Sequence, residues 1–256
     1  MIGGITTMPS NYSMKYCVDI VMVIDATGSM GPLLDTVKNN ALTFYNDLMR
    51  AMNDHKKTVH EVRVRLIAFR DYLADGKDAM LASDFFTLPR DAAAFEKIVK
   101  SITPFGGGDD PEDGLEALAY AIRSNWTTEG YKRRNVIIVW TDEGTHALGF
   151  GKNPENGRDL VKMCGIPWEQ VQQNAKGYPS QMARDFDELT DWWGDEDLPG
   201  LIDNNAKRLI IYAPAEKYWS TISDSWNNVI HHQAEAGKGL EEIEYQEILD
   251  AIVGSV

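Results

Sequence analysis

The chain has 256 residues, 43% of them hydrophobic and 10% aromatic, which suffices for one α/β core and requires no second domain. Its 25 basic and 39 acidic residues give a formal net charge of −14, which argues against nucleic acids and anionic membranes as main partners. The two cysteines, Cys17 and Cys164, suggest no disulfide framework, and no apolar run approaches the length of a membrane span, so we expect a cytoplasmic protein.

Two kinds of pattern alternate along the chain. Short apolar runs, or an alternation of apolar and polar residues, predict strands, whereas apolar residues at three- and four-residue spacing predict helices. In chain order these patterns predict a strand at 17–25, a helix at 32–54, a strand at 61–70, a short edge strand at 82–88, helices at 91–102 and 112–125, strands at 135–141 and 208–212, and helices at 216–233 and 239–252. The alternation predicts an α/β fold with a doubly wound, mostly parallel central sheet and helices on both faces.

Residues 143–205, between two predicted strands, form an unusually long connection that is rich in Gly, Pro and Trp. A helix is expected inside it at about 181–193. We expect one domain over residues 1–256, with 143–205 as a long insertion. We expect Trp168, Trp192 and Trp193 to pin that insertion to the body, and the alternative is that they form an exposed recognition patch.

Polar side chains follow two of the buried strands directly. Asp25, Thr27 and Ser29 come at the end of the first strand, and Asp142 comes at the end of the strand at 135–141. Ligands of parallel sheets bind beyond the carboxyl ends of the strands, so these groups are expected at one edge. Carboxylate and hydroxyl oxygens suit hard cations such as Mg²⁺, Mn²⁺ or Ca²⁺. The simpler alternative is that Thr27 or Ser29 caps the following helix.

A glycine-rich acidic loop, Gly106-Gly107-Gly108-Asp109-Asp110-Pro111-Glu112, leads into the helix predicted at 112–125. Pro111 and the acids fit an ordinary helix start, where negative charge complements the helix dipole. The loop lies about eighty residues beyond Ser29. With the residues from Asp25 to Ser29 and with Asp142, it makes a third group of candidate ligands.

Jointly, Asp25-x-Thr27-x-Ser29, the acidic loop and the strand-end Asp142 resemble a von Willebrand factor A domain with a metal-ion-dependent adhesion site. The resemblance covers roughly residues 16–145 and is weaker beyond. Phe69-Arg70-Asp71-Tyr72 and the loop from Gly106 to Glu112 are most similar to the intracellular variant found with alpha-type protein kinases and in bacterial stress or defence systems.

The resemblance implies that Thr27 and Ser29 bind Mg²⁺, or Mn²⁺ or Ca²⁺, through their hydroxyls. Asp25 and Asp142 would bind mostly through water, or one of them would bind directly. The third loop would contribute Asp109, or Asp110 if the alignment shifts by one residue, where the family usually has a threonine. The implied function is a non-catalytic protein-binding module whose partner offers an acidic side chain to the ion. The added carboxylate of Asp109 tightens cation binding and weakens that attraction.

The alternative is a metal-assisted phosphohydrolase on a similar α/β scaffold, since haloacid dehalogenase-type phosphatases also place an aspartate at the end of the first strand. Such enzymes need a second aspartate at the position of Thr27, and no later lysine and acidic pair is clear in this sequence. Nearby, we expect an ion pair between Arg70 and Asp71, and we expect His146 to be a solvated loop residue.

Overall fold

The computed structural model describes residues 15–107 and 111–256. In those ranges seven strands form one sheet. The strands are β1 (Tyr16–Asp25), β2 (Glu61–Phe69), β3 (Met80–Ala82), β4 (Phe86–Leu88), β5 (Lys132–Trp140), β6 (Lys207–Ala213) and β7 (Val229–Gln233).

The sheet is mostly parallel, as predicted. Its spatial order is β3-β2-β1-β5-β6-β7, and β4 also pairs with β2. The central β1 is parallel to β2 and β5, β6 is parallel to β5, and β7 is parallel to β6. Only the short β3 and β4 are antiparallel to their neighbour β2.

Helices surround this sheet. Over the described ranges they are α1 (Gly31–Asn40), α2 (Phe44–Asp54), α3 (Tyr72–Asp75), α4 (Ala92–Ser101), α5 (Gly114–Ile122), α6 (Arg158–Met163), α7 (Trp168–Lys176), α8 (Phe186–Trp193), α9 (Lys217–Ser225) and α10 (Tyr245–Ser255). None of the helices in this part of the chain combines the length and apolar character needed to cross a bilayer.

The side chains of β1 show why both faces of the sheet are covered. Successive strand residues point to opposite faces, and every residue of β1 is buried. Ile20, Met22 and Ile24 pack into an apolar layer with residues of α1, α2, α4 and α10. Val21 and Val23 pack into the opposite layer with residues of α5, α8 and α9. The predicted arrangement of helices on both faces is therefore confirmed.

The helix predicted over 32–54 is wrong as a single element, because a turn separates α1 from α2. Near the turn, side-chain donors bond to backbone carbonyls. Asn40 Nδ2 donates to Thr36 O at 2.8 Å, and Thr43 Oγ1 donates to Asn40 O at 3.3 Å. Such bonds offer the backbone an alternative to a continuous helix. The apolar spacing runs across the turn, so periodicity alone does not reveal it.

The single strand predicted at 82–88 is also wrong, because two short strands lie on β2 instead. Ser83 follows the first of them, where its Oγ accepts from Leu66 N at 3.0 Å and donates to Asp84 O at 2.8 Å. These bonds fix the chain as it leaves β3, before it returns to β2 as β4.

The helix predicted over 216–233 is correct only in its first half. After α9 the backbone becomes extended at Trp226 and takes a positive φ of 60° at Asn228. The chain then enters β7, so His231 and His232 lie in an edge strand rather than at a helix end. Pairing with β6 decides this segment, and that contact is not visible in local spacing.

The segment 143–205 contains three α-helices and two short 3₁₀ helices, where the sequence predicts one helix. Leu73 of α3 packs in a small apolar cluster with Leu160 of α6 and Val171 of α7. Trp193, at the end of α8, is fully buried and stacks on Trp226 with ring centroids 5.4 Å apart. Trp193 thus pins the segment to the body as expected. The division of the chain into one domain with an insertion stays a prediction.

Candidate functional site

The carboxyl ends of β1 and β5 meet at one edge of the sheet, as the sequence predicts. Ile24 lies opposite Trp140 in the parallel register, so the residues that follow each strand are neighbours. Asp25 and Asp142 are both fully buried there. Thr141 Oγ1 donates to Asp25 Oδ2 at 2.8 Å and ties the two strand ends together.

The loop after β1 brings its two hydroxyls to the same place. Thr27 donates to Asp25 Oδ1 through its backbone N at 2.9 Å and its Oγ1 at 2.7 Å. The short 3₁₀ turn from Gly28 to Met30 then places Ser29 Oγ 3.5 Å from Thr27 Oγ1. Ser29 Oγ also donates to Asp142 Oδ1 at 3.0 Å. Four of the five predicted ligand residues therefore form one continuous chain of contacts.

The helix-cap alternative for Thr27 and Ser29 is wrong. Thr27 stands at the N-cap position of the 3₁₀ turn and Met30 at that of α1, and neither helix start receives a side-chain cap. The hydroxyls instead face carboxylates. This arrangement is typical of a polar site rather than of a helix terminus.

The fifth predicted ligand, Asp109, lies outside the described residues, and so does its alternative Asp110. The start of the loop is described and packs closely. Gly107 has φ +79°, donates from its N to Asp75 Oδ2 at 3.2 Å, and leaves no room for a side chain. A Cβ on Gly107 would lie 2.6 Å from Glu112 Oε1 and 3.1 Å from Thr27 Cγ2.

Glu112, which the sequence places in the acidic loop and at a helix start but not among the predicted ligands, is buried at this edge of the sheet. Its side chain is 3% exposed. Its backbone N donates to Gly144 O at 3.3 Å, and its carbonyl accepts from His146 N at 2.9 Å. The loop before α5 is thereby fixed to the loop after β5. In the sequence, this buried position is indicated only by an acidic residue that follows Pro111 and precedes an apolar helix.

A second missed contribution comes from the segment before α10. Gly239 N donates to Asp142 Oδ2 at 2.7 Å, and Gly237 N donates to Asp142 O at 2.9 Å. Gly239 has φ +63°, and a Cβ there would lie 2.2 Å from Ser29 O. Only glycine permits this close approach. Both oxygens of the Asp142 carboxylate are thus engaged, one by Ser29 and one by Gly239.

Arg70 positions two of the loops through backbone carbonyls. Its Nε donates to Ala26 O at 3.0 Å and to Phe105 O at 2.9 Å, and its Nη2 donates to Thr103 O at 2.7 Å. Asp71 instead caps α3 by accepting from the backbone N of Leu73 and Ala74. The predicted ion pair between Arg70 and Asp71 is therefore wrong, because each side chain is committed to different backbone groups.

His146 is not the solvated loop residue that was predicted. It is buried and stacks on Phe150 with ring centroids 3.7 Å apart. Its Nε2 lies 3.4 Å from Asp71 Oδ2. These contacts belong to the attachment of residues 143–178 to α3 rather than to the edge where Asp25 and Asp142 meet.

Burial disfavours the ionised forms of the acidic side chains at this edge of the sheet. Burial raises the pKa of Asp25 to about 6, although hydrogen bonds from Thr27 and Thr141 oppose the shift. Burial also raises the pKa of Glu112 to about 11, and the nearby Asp25 and Asp71 add to it. A bound cation would favour the ionised forms of both groups.

The donor set fits a hard cation in its chemistry. Two carboxylates and two hydroxyls converge, all with oxygen donors. Across residues 15–107 and 111–256, no group of three or more His, Cys, Asp or Glu side chains is arranged to hold a metal ion.

Comparison with known proteins identifies the family of about half of the chain. Residues 20–145 match the von Willebrand factor type A domain family. This stretch of the chain belongs to that family. The matched stretch of the von Willebrand factor type A domain contains Asp25, Thr27, Ser29 and Asp142, together with Glu112.

One relative is the alpha-protein kinase vwkA of Dictyostelium discoideum, 23% identical over 134 residues. The match covers 52% of this chain and 20% of the kinase, so the chain spans about a fifth of that relative's length.

Solved structures that are similar include the pilus adhesin SpaC of Lactobacillus rhamnosus GG, with 16% identity and a TM-score of 0.49. That match covers 94% of this chain and 31% of the adhesin. Another is the vWF domain of the type V pili tip protein Mfa5 of Porphyromonas gingivalis, with 13% identity, a TM-score of 0.44, and coverage of 93% of this chain and 96% of that domain.

Proposed function

We propose that this von Willebrand factor type A domain is an intracellular, metal-dependent protein-binding module that works within a multiprotein signalling, stress or defence system. The observation that supports the proposal is the convergence of Asp25, Thr27, Ser29 and Asp142 in one chain of contacts at the carboxyl edge of the sheet.

In the proposed site, Thr27 and Ser29 hold a Mg²⁺-type ion through their hydroxyls, and Asp25 and Asp142 hold it mostly through water. Asp109 is the proposed ligand from the third loop. Because the two hydroxyls are neutral, the ion keeps positive charge with which to attract an acidic side chain of a protein partner, and the carboxylate of Asp109 weakens this attraction without removing it.

The residues of this chain prepare the site and leave it accessible. Ser29 is exposed, so a partner reaches the ion from its side, whereas Asp25 and Asp142 are buried. Arg70 holds the backbone on either side of the site through Ala26 O and Phe105 O. Such supporting contacts reduce the cost of ordering the loops when the ion binds.

The phosphohydrolase alternative gains no specific support. The position two residues after Asp25 is occupied by Thr27, whose hydroxyl donates to Asp25. That contact makes Thr27 a neutral partner of the carboxylate rather than a second acid for phosphoryl chemistry.

The test measures unfolding by urea with and without Mg²⁺ or Mn²⁺. At a cation concentration about 100 times the Kd, wild type should gain about 2.7 kcal/mol in its free energy of unfolding. Ser29→Ala and Asp25→Ala should lose that gain. Ser225→Ala removes an exposed hydroxyl that bonds only within α9, and it should keep the full response.

Partner binding is tested in the same variants by a pull-down with Mg²⁺ and with EDTA. Capture that is lost in EDTA and in Asp25→Ala supports the proposal. Capture that is equal in both conditions contradicts it, and magnesium-dependent turnover of a phosphoester would favour the phosphohydrolase instead.

A further inference from the structure

Glu112 differs from the two strand-end acids, Asp25 and Asp142, in the hydrogen bonding of its carboxyl group. Its Oε2 is buried and has no hydrogen-bond partner among the described residues. Asp25 accepts from Thr27 and Thr141, and Asp142 accepts from Ser29 and Gly239. An unpaired carboxyl in such a position costs free energy unless a proton or a cation compensates it.

The position of this carboxyl is fixed beside the Thr27 loop. The space above Gly107 is bordered by Glu112 Oε1, 2.6 Å from where a Cβ would be, and by Thr27 Cγ2 at 3.1 Å. From the other side, the backbone of Glu112 bonds to Gly144, two residues beyond Asp142. The carboxyl therefore lies between the two strand-end loops that carry the proposed ligands.

The charges that face Glu112 are mostly of its own sign. They come from Asp25, Asp71, Asp75 and Asp113. Arg70 lies near Asp25, Asp75 and Glu112, but its N–H groups donate to backbone carbonyls. A dication at this edge would offset the excess negative charge.

We propose that Glu112 contributes a further carboxylate to the cation site at Asp25, Thr27, Ser29 and Asp142. This inference rests on the proposed function, because it requires a bound cation. Asp25, Glu112 and Asp142 do not form a ready three-acid site in the described ranges. Glu112 therefore acts on the ion through its water shell, as an acceptor that orients bound water and adds negative charge.

The experiment measures the affinity of the full chain for Mg²⁺ and Mn²⁺ by isothermal titration calorimetry. The variants are Glu112→Gln and a matched control, Glu116→Gln. Glutamine has nearly the shape of a protonated glutamate but cannot ionise. The variant should therefore keep cation binding if Glu112 acts only as a neutral structural group, and lose affinity if the ionised carboxylate is needed. Glu116 is fully buried one turn further along, and its Oε1 accepts from Tyr178 Oη and Gly149 N.

Glu112→Gln should weaken cation binding by about 10- to 100-fold, the range found when an outer-shell partner is removed, and Glu116→Gln should leave it unchanged. If wild type binds the cation and Glu112→Gln binds it equally well, this inference is overturned while the proposed function stands. If the wild-type chain binds no divalent cation, the proposed metal-dependent function is contradicted, and this inference is contradicted with it.

A second measurement covers the case in which Glu112→Gln does not fold. Crystals of the wild-type chain grown with Mn²⁺ locate the ion by its anomalous signal. A Glu112 carboxylate within hydrogen-bond distance of a manganese-bound water supports the inference. A carboxylate that shares no bound water with the ion, and does not contact it, overturns the inference.

Discussion

The strand β1 carries two buried aspartates, Asp19 and Asp25, which differ in the charge of their hydrogen-bond donors. Asp19 is 1% exposed and accepts from Arg63 Nε at 2.7 Å, Arg63 Nη2 at 2.5 Å and Thr127 N at 2.7 Å. Asp25 is also fully buried, but hydroxyls and one backbone N–H are the donors around it. Asp19 thus has its counter-charge built into the fold.

This difference separates a structural acid from a binding acid. A buried carboxylate that is paired with arginine contributes to the fold and needs nothing further. A buried carboxylate that faces only neutral donors keeps its charge at a cost, which an added cation would relieve. The comparison therefore favours the sheet edge at Asp25 as the candidate binding edge without reference to any relative.

The largest effect is expected from Asp19→Asn. The change leaves the guanidinium of Arg63, whose side chain is 19% exposed, without its charged partner. We expect a loss of about 3 kcal/mol in the free energy of unfolding, independent of Mg²⁺. Urea unfolding measures it. Asp203→Asn is the matched control, because Asp203 pairs with Arg133 at the surface and should cost less than about 1 kcal/mol. Equal losses of unfolding free energy in Asp19→Asn and Asp203→Asn would contradict the assignment of Asp19 as a structural acid.

A smaller effect, which depends on pH, is expected from Glu116→Gln. Burial raises the pKa of Glu116 to about 7, above its unfolded value of about 4.3. The folded state then binds the proton more tightly, so the stability of wild type falls as pH rises from about 4 to 7. Glutamine stays neutral and can still accept from Tyr178 and Gly149. At pH 8 the variant should be more stable than wild type by about 2 kcal/mol, and the difference should vanish near pH 4. A difference that does not change with pH would contradict the prediction.

The smallest effect is expected from Asp25→Asn in EDTA. Asparagine can accept from Thr27 and donate to Thr141, and it removes a desolvated charge, so stability should change by less than about 1 kcal/mol. The same variant should lose the stabilisation by Mg²⁺. Thermal unfolding with EDTA and with Mg²⁺ gives both values. If Asp25→Asn in EDTA loses as much unfolding free energy as Asp19→Asn, then Asp25 is a structural acid like Asp19, and the proposed difference between the two is wrong.

Much of the site was predictable because it depends on strand ends. The apolar runs that end at Asp25 and before Asp142 mark buried parallel strands, and such strands must bring their carboxyl ends together. The approach of Gly239 to Ser29 was not predictable, because it depends on how the segment before α10 packs on the loop after β1. Arg70 was misassigned for the same reason, since its partners are carbonyls from three separate loops.

By itself, the sequence determined the alternation of strands and helices, the burial of β1 and the set of oxygen donors at one edge, because these follow from local periodicity and from the direction of parallel strands. Only the tertiary structure decided that residues 229–233 pair as a strand, that Asp19 is hydrogen-bonded to a guanidinium whereas the bonds to Asp25 come from hydroxyls and one backbone N–H, and that Glu112 Oε2 is buried without a donor. Each of these depends on contacts between residues far apart in the chain, for which spacing along the sequence carries no signal.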